Sequence, residues 1–177
     1  MEHPRHRLPA FNYKGRRAYF LTVCTANRQK HFDKPEVANA LVEALRQQFQ
    51  RHDFSVYAYC FMTDHCHVLA VAVADTAGLA KAVRAFKGAS VAIARGFGIE
   101  RLWQRDYYEH ILRSSEHLGA VAAYILQNPM RAGLATAPGD WPYSGSIMFG
   151  WNTQMLLAST FSPDWKRKPQ RDKPAAT

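Results

Sequence analysis

Acidic residues are scarce, cysteines are few, and no long apolar run interrupts the chain. Each lack excludes something. Over 177 residues, 14 Asp+Glu stand against 23 Lys+Arg, a formal charge of +9 with a pI near 9.7. That balance points to a polyanionic partner, nucleic acid above all, because a basic surface gains affinity by releasing counterions. The bland alternative is a soluble protein that is basic for no specific reason. The three cysteines, Cys24, Cys60 and Cys66, form no Cys-x-x-Cys pair and are odd in number. This argues against a disulfide scaffold and for a reducing compartment. The longest apolar run, Val68 to Ala74, is far too short to cross a bilayer, so no membrane association is expected. The opening "MEHPRHRLPAF" is charged, without the apolar stretch of a secretory signal. A cytoplasmic protein is the expectation.

What is present suffices for a folded domain. Hydrophobic residues make up 47% of the chain, an ordinary globular share. Residues 1–16 read as a basic arm, 17–150 as one domain, and 151–177 as an extension ending in a basic tail, "DWKRKPQRDKPAAT". "AYFLTVCTAN" (18–27), rich in aromatic and β-branched residues, predicts a first strand. In "KPEVANALVEALRQQFQ" (34–50), Pro35 stands at a helix start, and Val37, Leu41, Leu45 and Phe49 share one face. "FSVYAYCFM" (54–62) and "HVLAVAV" (67–73) read as strands joined by the turn "TDHC". A second helix is predicted over 76–98, with Leu79, Val83 and Phe86 inward, and a short strand within 101–113. A third helix is expected from Ser115 to near Asn128, where Pro129 disfavours helical geometry in the residue before it. The order β-α-β-β-α-β plus a helix predicts an α+β fold. It is a ferredoxin-like or RRM-like antiparallel sheet with helices on one face and a C-terminal helix besides.

Two histidines flank one cysteine in "TDHCHV". On a strand, His65 and His67 project to the same face while Cys66 points away. A neutral imidazole pair suits a divalent metal, although a solvated hairpin end would look the same. A structural zinc site recruiting Cys60 or Cys24 is a third reading, opposed by the direction of Cys66 and by the lack of a second close ligand pair. In "AYILQNP", Tyr124 and Asn128 are four apart and share a helical face. A phenol and a carboxamide brought to a His pair would set a nucleophile beside a metal. The plainer reading makes Tyr124 an amphipathic core residue in a helix capped by Asn.

Together, an apolar strand ending in His-x-His, then "LWQRDYYEHILR", then a helix ending "YILQNPMRAGL" and followed by "WPYSG" resemble the Y1 HUH transposases. The likeness covers roughly residues 17–145, and its wording is closer to the REP-associated tyrosine transposases than to the insertion-sequence (IS200/IS605-like) branch. The resemblance implies a metal-dependent single-strand DNA endonuclease and strand transferase. His65 and His67 would bind Mg or Mn, and Tyr124 would attack a phosphodiester, leaving a 5′-phosphotyrosine and a free 3′-OH. Asn128 falls at the third ligand's place, where the insertion-sequence branch usually carries Gln, so neighbouring Gln127 is the alternative. The partner implied is single-stranded DNA bearing hairpins, repetitive palindromes among them, engaged by a monomer or a homodimer. A module of the same fold that has lost catalysis and only grips hairpin DNA or RNA is the other functional reading.

Several residues are candidates for holding such a strand. Lys81, Arg84 and Lys87 form a basic stripe on the second helix, with a solvated face as the equal alternative. "LWQRDYY" offers Trp103 for base stacking, with Gln104 and Arg105 for phosphate. A core position suits Trp103 equally. Arg131 in "NPMRAGL" joins the DNA-binding set, and the cations of the arm and tail would add salt-dependent affinity.

Overall fold

The computed structural model describes residues 17–113, 116–137 and 139–148. The basic arm, the 151–177 extension and Ser115 lie outside the described residues. The elements are β1 (Ala18–Cys24), α1 (Pro35–Arg51), β2 (Phe54–Phe61), β3 (His65–Ala72), α2 (Leu79–Gly96), β4 (Tyr108–Ile111), α3 (Leu118–Leu126), α4 (Asn128–Arg131) and β5 (Ser144–Gly145). A short 3₁₀ turn, Ala26–Arg28, follows β1.

The five strands form one antiparallel sheet in the order β4-β1-β3-β2-β5. This is the expected α+β arrangement, and the alternation of β1 divides its two layers. Tyr19, Leu21 and Val23 point into the larger core with Val37, Leu41, Leu45 and Phe49 of α1 and Leu79, Val83 and Phe86 of α2. Phe20 points the other way, into a second core with Val121 and Ile125 of α3. So α1 and α2 cover one face, and α3 covers the other. Burying each large side chain fully contributes about 1.5–3 kcal/mol, which favours the register that keeps both faces covered.

Two local departures aim the side chains discussed below. The pairing of β2 with β3 slips between Val56 and Ala58, making a bulge at Tyr57. Val56 therefore faces the α1/α2 layer, whereas Ala58, Cys60 and Met62 face α3. The turn after β2 is also shorter than the sequence predicts. His65 and Cys66 belong to β3 and not to the turn, because Cys24 and Val23 of β1 pair with them and extend the ladder. The hairpin closes with Met62 N–H donating to the His65 carbonyl at 2.8 Å.

The third helix ends at Leu126, close to the expected Asn128; what the sequence did not predict is that after Gln127 a four-residue helix, α4, resumes with Pro129 in its first turn. Proline is tolerated there because first-turn N–H groups lack intrahelical partners anyway. The two-residue β5 has no counterpart in the sequence reading. It follows Trp141, whose indole Nε1–H donates to the Phe61 carbonyl at 2.7 Å. Among the described residues, no helix is long and apolar enough to cross a membrane.

Candidate active site

β3 is the central strand, paired on both sides, and it fixes His65 and His67 by backbone alone: His67 lies opposite Thr22 of β1 and Cys60 of β2. Both imidazoles project to the α3 face, while Cys66 is buried in the α1/α2 core. His67 is 2% exposed; the His65 side chain keeps 21%. Their Nε2 atoms face each other at 3.2 Å. The Nδ1 atoms are held from behind, that of His67 against Thr22 Oγ1 at 2.9 Å and that of His65 against Asp64 Oδ1 at 2.5 Å. Asp64 is itself anchored, since Thr25 donates to its carbonyl from both N–H and hydroxyl. Arg28 Nη1 reaches its carboxylate at 3.4 Å. Tying back one ring nitrogen is how proteins orient imidazoles whose other nitrogen is to be used.

Tyr124 comes to the same face from α3, and Phe20 is the body between. The fully buried Phe20 ring stacks on His67 at 5.5 Å and meets Tyr124 edge-on at 6.2 Å and Tyr108 at 6.3 Å. The Arg131 guanidinium lies 4.2 Å over the Tyr124 ring, donates to the Tyr124 carbonyl, and reaches Gln127 Oε1 at 3.3 Å. Burial pushes the Tyr124 phenol above its usual pKa, and the charge and hydrogen bond of Arg131 pull against that. Asn128 caps α3, its Nδ2 donating to the carbonyls of Tyr124 and Ile125 at 2.9 and 3.1 Å. The i, i+4 pair read from sequence is therefore real as a contact, although it runs through the Tyr124 backbone.

The DNA-binding candidates separate into distinct places. Trp103 is 6% exposed, against Phe32 and Phe86 in the α1/α2 core, so it is a core residue and not a stacking surface. Lys81 and Arg84 are exposed, but on the helix layer that covers the sheet face away from the histidines. Lys87 is turned inward and donates to the carbonyls of Gln104 and Arg105 at 2.7 and 2.9 Å. That desolvation lowers its pKa. The predicted three-residue stripe is thus two exposed cations and one internal tether. Exposed Gln104 and Arg105 stand closer to the histidines' end of the sheet, because Gln104 N–H donates to Cys24, the cross-strand partner of His65.

Among the described residues, no group of three or more His, Cys, Asp or Glu is placed to hold a metal. The cysteine-ligated zinc reading finds no support. Cys66 lies in the α1/α2 core, on the sheet face away from the histidines, and the buried Cys60 Sγ contacts Met62 Sδ at 3.5 Å. The donor set that fits a divalent ion is the convergent Nε2 pair, completed by an amide or by phosphate oxygens. Sequence reasoning missed Thr22, Phe20 and Asp64. Asp64 directly precedes the first histidine and was visible as a candidate; Thr22 and Phe20 depend on the β1–β3 register, which composition does not reveal.

Comparison with known proteins follows the same line. A family model described as "Transposase IS200 like" matches residues 15–128. A protein of Haemophilus influenzae (strain ATCC 51907 / DSM 11121 / KW20 / Rd), provisionally named a REP-associated tyrosine transposase, is 28% identical over 166 residues, 85% of this chain and 88% of its own. The REP-associated tyrosine transposase of Escherichia coli (strain K12) is 22% identical over 129 residues, 71% of this chain and 74% of that one. Among solved structures, a REP-associated tyrosine transposase bound to a REP hairpin superposes with a TM-score of 0.64 at 20% identity, covering 78% of this chain and 82% of that one. At that identity the likeness establishes the fold.

Proposed function

This chain belongs to the IS200-like transposase family, and from that membership we propose that it cleaves and rejoins hairpin-bearing single-stranded DNA through Tyr124. The observation that carries the reading is the shared face: two imidazole Nε2 atoms converge at 3.2 Å, and Phe20 packs between His67 and the Tyr124 ring. A divalent ion, Mg or Mn, would be held by His65 and His67. It would polarise a phosphate oxygen and orient the scissile bond. Asn128 is the better third ligand. Its Nδ2 is spent on α3 carbonyls, which leaves Oδ1 for an ion, whereas Gln127 Oε1 accepts from Arg131.

In the reaction, Tyr124 Oη attacks the phosphorus and the P–O3′ bond breaks. The phenol's proton passes to solvent, and the released 3′-oxygen takes one from solvent. The product is a 5′-phosphotyrosine that a 3′-OH can attack in reverse, so no water is needed and bond energy is conserved. Arg131, seated on the Tyr124 ring, gives the phenolate and the later phosphotyrosine a neighbouring cation. Its two backbone and side-chain bonds also hold it in place. Neutral ligands leave an ion's charge undiminished toward phosphate. The relatives named for REP elements, one of them bound to a REP hairpin, support a palindromic hairpin with a single-stranded flank as substrate. A cytoplasmic site of action accords with such a substrate.

The test is incubation with labelled hairpin single strands and Mn²⁺ or Mg²⁺. A covalent protein–DNA adduct is expected with the natural sequence and none with Tyr124→Phe. His65→Ala should lose cleavage while retaining hairpin binding. Hairpin binding by the natural protein with no adduct on any such strand would replace this reading with that of a non-catalytic binding module.

A further inference from the structure

His110 and Glu116 form a largely buried pair that the reaction proposed above does not use. His110 Nε2 lies 3.1 and 2.9 Å from the two carboxylate oxygens of Glu116, and the side chains are 14% and 15% exposed. A tight turn fixes Glu116 further. Its N–H donates to the Arg113 carbonyl at 3.0 Å, and its Oε2 accepts from the Arg113 N–H at 2.6 Å. The pair thus joins β4, at the edge of the sheet, to a residue two before Leu118, where α3 begins.

We propose that His110 and Glu116 are positioning residues, a clasp that sets the angle of α3 on the sheet and thereby the place of Tyr124 beside Phe20. His110 is the cross-strand partner of Phe20, whose ring meets both His67 and Tyr124. α3 rests on β2 and β3 through apolar side chains, Val121 and Ile125 in one cluster with Ala58, Cys60 and Leu69. Apolar packing is non-directional, so it resists lifting of the helix better than rolling or tilting. At the far end, the bonds of Asn128 and Arg131 go to the Tyr124 and Ile125 carbonyls and travel with the helix. The tie at the start is directional and comes from the sheet's edge, so it restrains those motions. From Leu118 to Tyr124 the helix rises about 9 Å, and a tilt of about 6° at its start moves Tyr124 by about 1 Å. Displacement of that size costs about 100-fold in rate. The kinetic consequence rests on the reading of Tyr124 as nucleophile; its placement is measured without chemistry.

The full chain is compared with Glu116→Ala, His110→Leu, the double variant and Glu116→Gln. Nuclear Overhauser contacts between the Phe20 and Tyr124 rings report placement, and adduct formation at saturating labelled hairpin reports rate. Glu116→Ala and His110→Leu should each weaken the Phe20–Tyr124 contacts and keep those between Phe20 and His67. Adduct formation should slow about 10–100-fold, with hairpin affinity unchanged. The double variant should lose no more than either single one, as two halves of one contact do. Glu116→Gln keeps an oxygen where Oε2 accepts from Arg113 and should recover most of the rate. Retained ring contacts or a wild-type adduct rate in both single variants would overturn the proposal. So would full additivity in the double variant, or hairpin affinity falling in step with rate. Weakened ring contacts with no adduct even from the natural chain would uphold the clasp and sink the cleavage reaction instead.

Discussion

Replacing Phe20 by leucine asks whether the ring between His67 and Tyr124 sets the distance between the proposed ligand pair and the proposed nucleophile or merely fills space. Leucine retains most of the apolar volume, so the cavity contribution stays below about 1.5 kcal/mol. Three ring contacts are lost, at 5.5, 6.3 and 6.2 Å. At the low end for aromatic pairs, about 0.5 kcal/mol each, they add about 1.5 kcal/mol. A total of about 2–3 kcal/mol corresponds to a fall of roughly 4–12 °C in Tm for a domain of this size. The variant should fold, yet with the ring gone Tyr124 shifts relative to the histidines, and misplacement near 1 Å costs about 100-fold in rate. Urea unfolding gives the first quantity and the rate of covalent adduct formation the second. Tyr19→Leu is the matched control. Its neighbouring ring is equally buried but packs at 5.9 Å on Phe54 in the opposite core. It should lose comparable stability and keep the adduct rate per folded molecule. Wild-type adduct formation by Phe20→Leu, or equal losses of adduct rate per folded molecule in both variants, would refute the reasoning.

Other consequences are as direct. With the thiol pKa of Cys60 raised to about 12 and that of Cys66 further still, stability is fully present below pH 9 and declines above it, as unfolded thiols ionise while buried ones stay neutral. The limiting slope is about 1.4 kcal/mol per pH unit for each thiol. Urea unfolding under reductant at pH 8 and 10 should show it, and Cys66→Ala should flatten it; an unchanged slope would count against the burial argument. A Cβ at Gly145 would stand 2.7 Å from Tyr59 Oη and 3.0 Å from its Cζ. Gly145→Ala should thus cost about 1–3 kcal/mol, partly recovered in the double variant with Tyr59→Phe, and full additivity in that cycle would refute the contact. Lys87→Met removes both bonds to the 104–105 carbonyls. Expected are a loss of about 1–3 kcal/mol and weaker hairpin binding through the displaced loop. Equal binding would show that the loop does not touch DNA.

Periodicity carried much of the architecture. Val37, Leu41, Leu45 and Phe49 occupy the core as their spacing predicts, because a helix with one apolar stripe has one way to bury it. The alternation of β3 likewise put His65 and His67 together and Cys66 apart. Register was less legible. The turn was drawn over residues that β1 pairs into the strand, and only the partner strand decides where a ladder ends. The bulge at Tyr57 leaves no mark in composition, yet it turns Cys60 toward the α3 face. Aromatic and cationic residues were read by type. Trp103 and Lys87 show the weakness of that: a ring fits a core or a base, and a long amine on a helix can reach carbonyls of a neighbouring loop instead of phosphate.

The placement of β3 between two partner strands divides the site by timescale. The amide of His67 can exchange with deuterium only when the ladders flanking it open, and these belong to the centre of the sheet. α3 is laid on that sheet by side-chain packing, with its own hydrogen bonds running along its axis. Its amides therefore belong to a separate opening unit of lower free energy. Exchange should proceed in two tiers, the segment carrying Tyr124 first and the histidine strand last. In the reaction proposed above, such an order lets Tyr124 loosen for release of a covalently held strand while His65 and His67 keep their geometry.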